Sequence, residues 1–205
     1  MQIHRILLAG CGLMILVSLY GCSAYREEAL ERMRKEREAE EYKTETKTES
    51  KKKTFKGTSY TGKTDEQILN VLKTKNFRNL SAGEMDELMD RIEEYLHTPY
   101  LWGGESKDGI DCSSFVQNVM YMALGVKLPR TSLEQSKKGS QISTDELTLG
   151  DLLFFDTMNK GHTSHVGIYL DEGLFVHSGS RTGVAIASLN DEFYTETFLF
   201  AKRVF

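Results

Sequence analysis

The sequence predicts an α+β domain in which a helical half precedes an antiparallel sheet of five strands. Two observations predict it. Helix starts followed by apolar positions at helical spacing crowd residues 64 to 124, and five short apolar runs broken by close turns fill residues 151 to 205. Runs of helix and then runs of strand, without βαβ alternation, are the pattern of an α+β fold. The chain has 205 residues and a formal charge of -4. From Glu84 to Phe205 there are 19 acidic against 10 basic residues, so the remainder carries the positive balance. An acidic domain lacks the basic face that phosphate neutralisation needs, which excludes a nucleic-acid partner.

Residues 1–22 read as an export signal. Arg5 gives a positive start, and Ile6 to Tyr20 is uncharged but short for a membrane-spanning helix. The run ends at Leu19-Tyr20-Gly21-Cys22, which resembles a bacterial lipobox, so Cys22 is the expected lipidation site. Leu8-Ala9-Gly10-Cys11 matches by letters but strands an apolar stretch behind the cut. With Ser23 following Cys22, the expectation is a lipid anchor in the cell envelope, on the outer membrane facing the periplasm. Cutting there leaves Cys112 as the lone internal thiol, with no internal disulfide possible. Residues 23–63 read as a charged spacer, with Glu28 and Arg32, and Glu31 and Lys35, at helical spacing but few large apolar residues.

Within 64–83, read as a connecting helical segment, Thr64-Asp65-Glu66-Gln67 fits a capping box, and Ser81-Ala82-Gly83-Glu84 fits another at its end. The domain proper is then 84–205. Met85, Leu88, Met89, Ile92, Tyr95 and Leu96 form one apolar stripe that stops before Pro99. A third helix starts at Asp111, its N-cap, and ends at Gly125. This puts Cys112 in a first turn, where unpaired N–H groups favour the nucleophilic thiolate.

The strands are Asp151 to Phe155, His165 to Leu170, Leu174 to Ser178, Val184 to Leu189 and Phe198 to Phe205. Register decides whether His165 and His177 share a face. A two-residue loop at Asp171-Glu172, pairing Leu170 with Gly173, puts them on opposite faces. A three-residue loop of Asp171, Glu172 and Gly173 sets Gly167 opposite His177 and both histidines on one face. The latter is expected, with Gly173 as its left-handed residue.

The ordered strings Thr98-Pro99-Tyr100 with Gly103-Gly104, Asp111-Cys112-Ser113 with Phe115-Val116-Gln117, Leu128-Pro129-Arg130-Thr131-Ser132, Gly150-Asp151-Leu152, Ser164-His165-Val166-Gly167-Ile168-Tyr169 and Val176-His177-Ser178 resemble the NlpC/P60 cysteine peptidases, and within them the Spr-like murein endopeptidases. The resemblance spans about Tyr95 to Phe205. It implies a papain-like core and hydrolysis of peptide bonds in peptidoglycan, at a stem or cross-link bond involving diaminopimelate. It further implies Cys112 as nucleophile, His165 as base and then acid, and His177 as the group that orients the base. Tyr100, Asp111, Ser113 and Arg130 are implied on the substrate side. Ser114 departs from the family, which usually has Gly there.

No cofactor is expected. Cys112, His162, His165 and His177 include zinc-donor types, but no His-Glu-x-x-His string accompanies them. His97 is expected to be inert. The rival readings are a catalytically silent wall-binding or adaptor lipoprotein on the same fold, and an acyltransferase or amidase using the same Cys-His pair on another amide or ester. A regulatory adaptor or protease is a plausible partner that no residue identifies.

Overall fold

The computed structural model describes residues 60–205; the signal segment, Cys22 and nearly all of the spacer lie outside the described residues. Helix α1 is Asp65–Leu72 and α2 is Ala82–Tyr95. Both start on complete capping boxes, the Thr64 and Ser81 hydroxyls accepting from the N–H groups of Gln67 and Glu84 while those side chains return the bond. Met85, Leu88, Met89, Ile92 and Tyr95 are buried along α2, each aliphatic side chain contributing roughly 1.5–3 kcal/mol by leaving water. Helix α1 buries Ile68, Leu69 and Leu72, and Tyr60 ahead of it is buried too. The 64–83 segment thus packs as part of the same compact unit as the sheet.

A small hairpin, β1 (Glu105–Ser106) with β2 (Gly109–Ile110), leads into α3 (Cys112–Leu124). Asp111 caps α3 by accepting from the Ser114 N–H at 2.8 Å, and Gly125 ends it in the left-handed conformation, φ 69°. A short helix α4 (Ser132–Gln135) follows. The sheet strands are β3 (Ser140–Ile142), β4 (Leu152–Phe155), β5 (His165–Asp171), β6 (Leu174–Gly179), β7 (Gly183–Ser188) and β8 (Phe198–Arg203), with α5 (Glu192–Thr197) before the last.

Their order is β3-β8-β4-β5-β6-β7, antiparallel throughout. The class is α+β as expected, but the sheet has six strands and not five. The added strand, β3, is a short and mostly exposed edge whose ladder partner is β8. Nothing in its own side chains marks it, since an exposed edge strand needs no apolar alternation.

The connection from β7 to β8 has to cross β6, β5 and β4, and it carries α5 over one face of the sheet. On that face Leu153, Phe155, Tyr169 and Phe175 form a core with Tyr194 and Phe198 from the crossing segment and β8. The alternate residues Leu152, Phe154, Val166, Ile168 and Val176 are buried as well, and α3 packs on β5 and β6. With both faces covered, the central strands read as continuous apolar runs. Among the described residues no helix is long and apolar enough to cross a membrane.

The β5–β6 hairpin has the expected register by an unexpected route. Ile168 pairs with Val176 and Tyr169 with Phe175, which sets Gly167 opposite His177. The turn, however, is two residues, Glu172 and Gly173, closed by Asp171 and Leu174, and a bulge between Tyr169 and Asp171 restores the register. Glu172 (φ 49°) and Gly173 (φ 82°) both lie in the left-handed region, as a primed hairpin turn requires. One extra residue in the strand thus does what a third loop residue would have done.

Candidate active site

The ladder between β5 and β6 stops at Ile168 and Val176, short of His165 and His177. Past that point the register of β5 on β6 is not continued. The backbone N–H groups of Val166, Ser113 and Cys112 itself all favour the Cys112 thiolate, which sets the sulfur near the start of β5. Helix α3 thereby brings its first residue beside the strand that begins with His165.

His165 and His177 share a face, as the register requires, and their rings meet edge to face with His165 Nε2 2.8 Å from His177 Nδ1. Both are buried. His177 Nε2 lies 3.1 Å from the Tyr194 hydroxyl. Tyr194 was not foreseen from the sequence: it sits in α5, and only the crossing of the β7–β8 connection over β6 brings it to His177.

The electrostatics differ from expectation. The N–H groups around Cys112 do favour the thiolate, but burial outweighs them and pushes the thiol up to about 11. Burial also lowers both imidazoles, His177 to about 4 and His165 well below its ordinary value, with His177 adding to the effect on His165. The resting site is therefore a neutral thiol beside two neutral rings.

Asp111, Ser113 and Arg130 come together on the other side of the first turn. Arg130 grips Asp111 with both terminal nitrogens, at 3.0 and 2.7 Å, donates to the Ser113 hydroxyl at 3.0 Å and to Glu105 at 2.8 Å. Asp111 also accepts from the Ser113 hydroxyl, the Ser114 N–H and the Gly103 N–H. Burial pushes its carboxyl up, but Arg130 and these donors more than offset that and hold it below the usual range. Tyr100 is half-buried and bridged to Ile110, and its phenol is raised by burial first and then by Cys112 and Asp111.

Ser114 is buried with its hydroxyl unpartnered, as is the side-chain oxygen of Gln135, whose nitrogen bonds the Ser113 and Pro129 carbonyls. His162 does not join the site; its Nδ1 lies 2.9 Å from the Thr163 carbonyl. His97 pairs with Glu66 at 2.7 Å and so ties α1 to the end of α2. Among the described residues no three His, Cys, Asp or Glu side chains are grouped to hold a metal ion.

Residues 97–203 match the NlpC/P60 family, just over half of the 205-residue chain. A probable endopeptidase of Haemophilus influenzae is 36% identical over 117 residues, 57% of this chain and 73% of its own. The murein DD-endopeptidase MepS/murein LD-carboxypeptidase of Escherichia coli K12 is 38% identical over 130 residues, 62% of this chain and 68% of its own. A Staphylococcus aureus protein described as similar to a lipoprotein of the NLP/P60 family has a crystal structure that superposes with a TM-score of 0.57 at 32% identity, covering 63% of this chain and 44% of that one. With this site on this fold, the chain belongs to the NlpC/P60 family and is a peptidase.

Proposed function

We propose that the chain is a peptidoglycan endopeptidase working through Cys112, His165 and His177 on a stem or cross-link peptide bond that involves diaminopimelate. The observation that carries the mechanism is the 2.8 Å contact between the two histidines on β5 and β6, the strands against which the helix that begins with Cys112 packs. Two relatives named as endopeptidases, one of them a murein enzyme, support the substrate.

His165 Nε2 is engaged by His177, so Nδ1 is the atom that takes the thiol proton as sulfur attacks the scissile carbonyl. The N–H groups of the first turn of α3 support the oxyanion. The proton then passes from His165 to the departing amine, and water, deprotonated by the same ring, releases the acyl chain from sulfur. Because thiol and rings are neutral at rest, charge separates only when substrate is present. Tyr100, Asp111, Ser113 and Arg130 form the substrate-side wall.

The same burial favours a second reading, a silent wall-binding lipoprotein, since a thiol near 11 is a poor nucleophile unaided. Digestion of purified sacculi by the full chain and by Cys112→Ala separates the two. Conversion of cross-linked dimers to intact monomers identifies a cross-link cutter, and shortened stems identify a cut within the stem. Identical products from both proteins would sink the enzymatic reading. We further propose that Cys22 is acylated and holds the domain at the outer membrane, within reach of nearby wall; Cys22→Ala should then leave the membrane fraction, and its retention there would refute the anchor.

A further inference from the structure

Two neutral imidazole nitrogens 2.8 Å apart share one proton, so the His165–His177 contact has two arrangements. In the first, His165 Nε2–H donates to His177 Nδ1, His177 carries its own proton on Nε2 and donates it to the Tyr194 oxygen, and His165 Nδ1 is bare. In the second every bond is reversed. The Tyr194 hydroxyl donates to His177 Nε2, His177 Nδ1–H donates to His165 Nε2, and the His165 proton sits on Nδ1. A ring in that second state cannot take a proton from the thiol.

We propose that Tyr194 is a positioning residue that accepts from His177 Nε2–H, holds His177 in that tautomer, and so keeps His165 Nδ1 open for the Cys112 proton. The inference deepens the Cys-His-His reading and rests on it.

Three features favour the first arrangement. Burial keeps the proton on Cys112 at rest, and that proton needs an acceptor on the His165 side. Tyr194 is only partly buried, and a phenol oxygen that accepts from His177 leaves its own O–H free to donate elsewhere. The two bonds then run in one direction, from His165 through His177 to the phenol, and a string aligned in this way strengthens as His165 becomes charged. Burial and the Asp191 carboxylate raise the Tyr194 phenol, so it stays a phenol.

The ring of Tyr194 is fixed by Phe155 at 5.6 Å, Phe175 at 5.0 Å and Phe193 at 5.2 Å between centroids. Tyr194→Phe keeps those contacts and deletes one oxygen.

The test uses the full chain with 15N-labelled histidine. Ring-nitrogen chemical shifts should report His177 as Nε2–H and His165 as Nε2–H in the unmodified protein. In Tyr194→Phe the His177 signal should move toward the Nδ1–H form, kcat should fall about tenfold, the effect of one lost hydrogen bond, with KM unchanged. The alkylation rate of Cys112 by iodoacetamide should fall in parallel. His177 found as Nδ1–H in the unmodified chain, or an unchanged tautomer and kcat in Tyr194→Phe, overturns the proposal. The shifts and the alkylation rate need no substrate, so they are read even if sacculi are not cut, and failure of the peptidoglycan reading is seen separately.

Discussion

The first turn of α3 holds two polar clusters built on opposite electrostatic plans. Around Asp111 charge is matched by charge: Arg130 binds the carboxylate through two nitrogens, Glu105 meets the same guanidinium, and the helix cap shares the oxygens. Around Cys112 burial drives every group toward its neutral form, the thiol upward and the two imidazoles downward. Paired charges fix geometry because breaking the pair strands a charge out of water. Neutral groups in a hydrogen-bonded string can pass a proton along with little rearrangement. The difference teaches that one side of the turn is held by paired charges and the other by neutral, hydrogen-bonded groups, so that under the proposed mechanism the first would position the sulfur and the second would carry its proton.

That contrast can be broken most sharply at His165. His165→Ala should lower kcat by roughly 10³-fold or more, the range for removing a member of a catalytic constellation, while the melting temperature holds; a variant that unfolds instead would make His165 a structural residue. Next in size is the response to acid. His177 has a folded value near 4 against 6.5, so the unfolded chain binds the extra proton first. Stability is complete above pH 6.5 and falls as pH drops toward 4, by on the order of 3 kcal/mol for this ring. Urea denaturation across that window checks it, and a flat profile would mean the rings are not held neutral. By the same sign the acid limb of kcat/KM should lie below 6.5.

On the charged side Arg130→Met should cost about 2 kcal/mol, because a largely buried Asp111 is left without its cation, as read from the urea midpoint. A loss confined to KM would instead make Arg130 a substrate contact only. The smallest effect is expected at Ser114→Ala, which removes a buried hydroxyl without a partner and should stabilise by about 1 kcal/mol with kcat unchanged. A destabilised variant would show that Oγ is satisfied after all.

Much of the scaffold was legible because it is written in local chemistry. Thr64, Ser81 and Asp111 announce helix starts through side chains that bond their own backbone, and the α2 stripe follows from a 3.6-residue period. The register of β5 on β6 could be reasoned from two histidines and Gly173, although the bulge that achieves it could not. Properties set by distant chain stayed hidden. Tyr194 reaches His177 only because one connection crosses three strands. The raised thiol follows from burial by the assembled fold, which outweighs the helix-start effect that spacing suggests.

Tyr60 fastens the start of the described chain to the sheet. It is buried at 2% exposure, its hydroxyl donates to Asp171 at 3.1 Å, and Lys75 bonds the same carboxylate while lying over the Tyr60 ring. Asp171 closes β5 at the end opposite His165, about 20 Å away at the rise of a strand. The first described residue is therefore pinned to the residue that closes the β5–β6 turn, at the end of β5 away from His165.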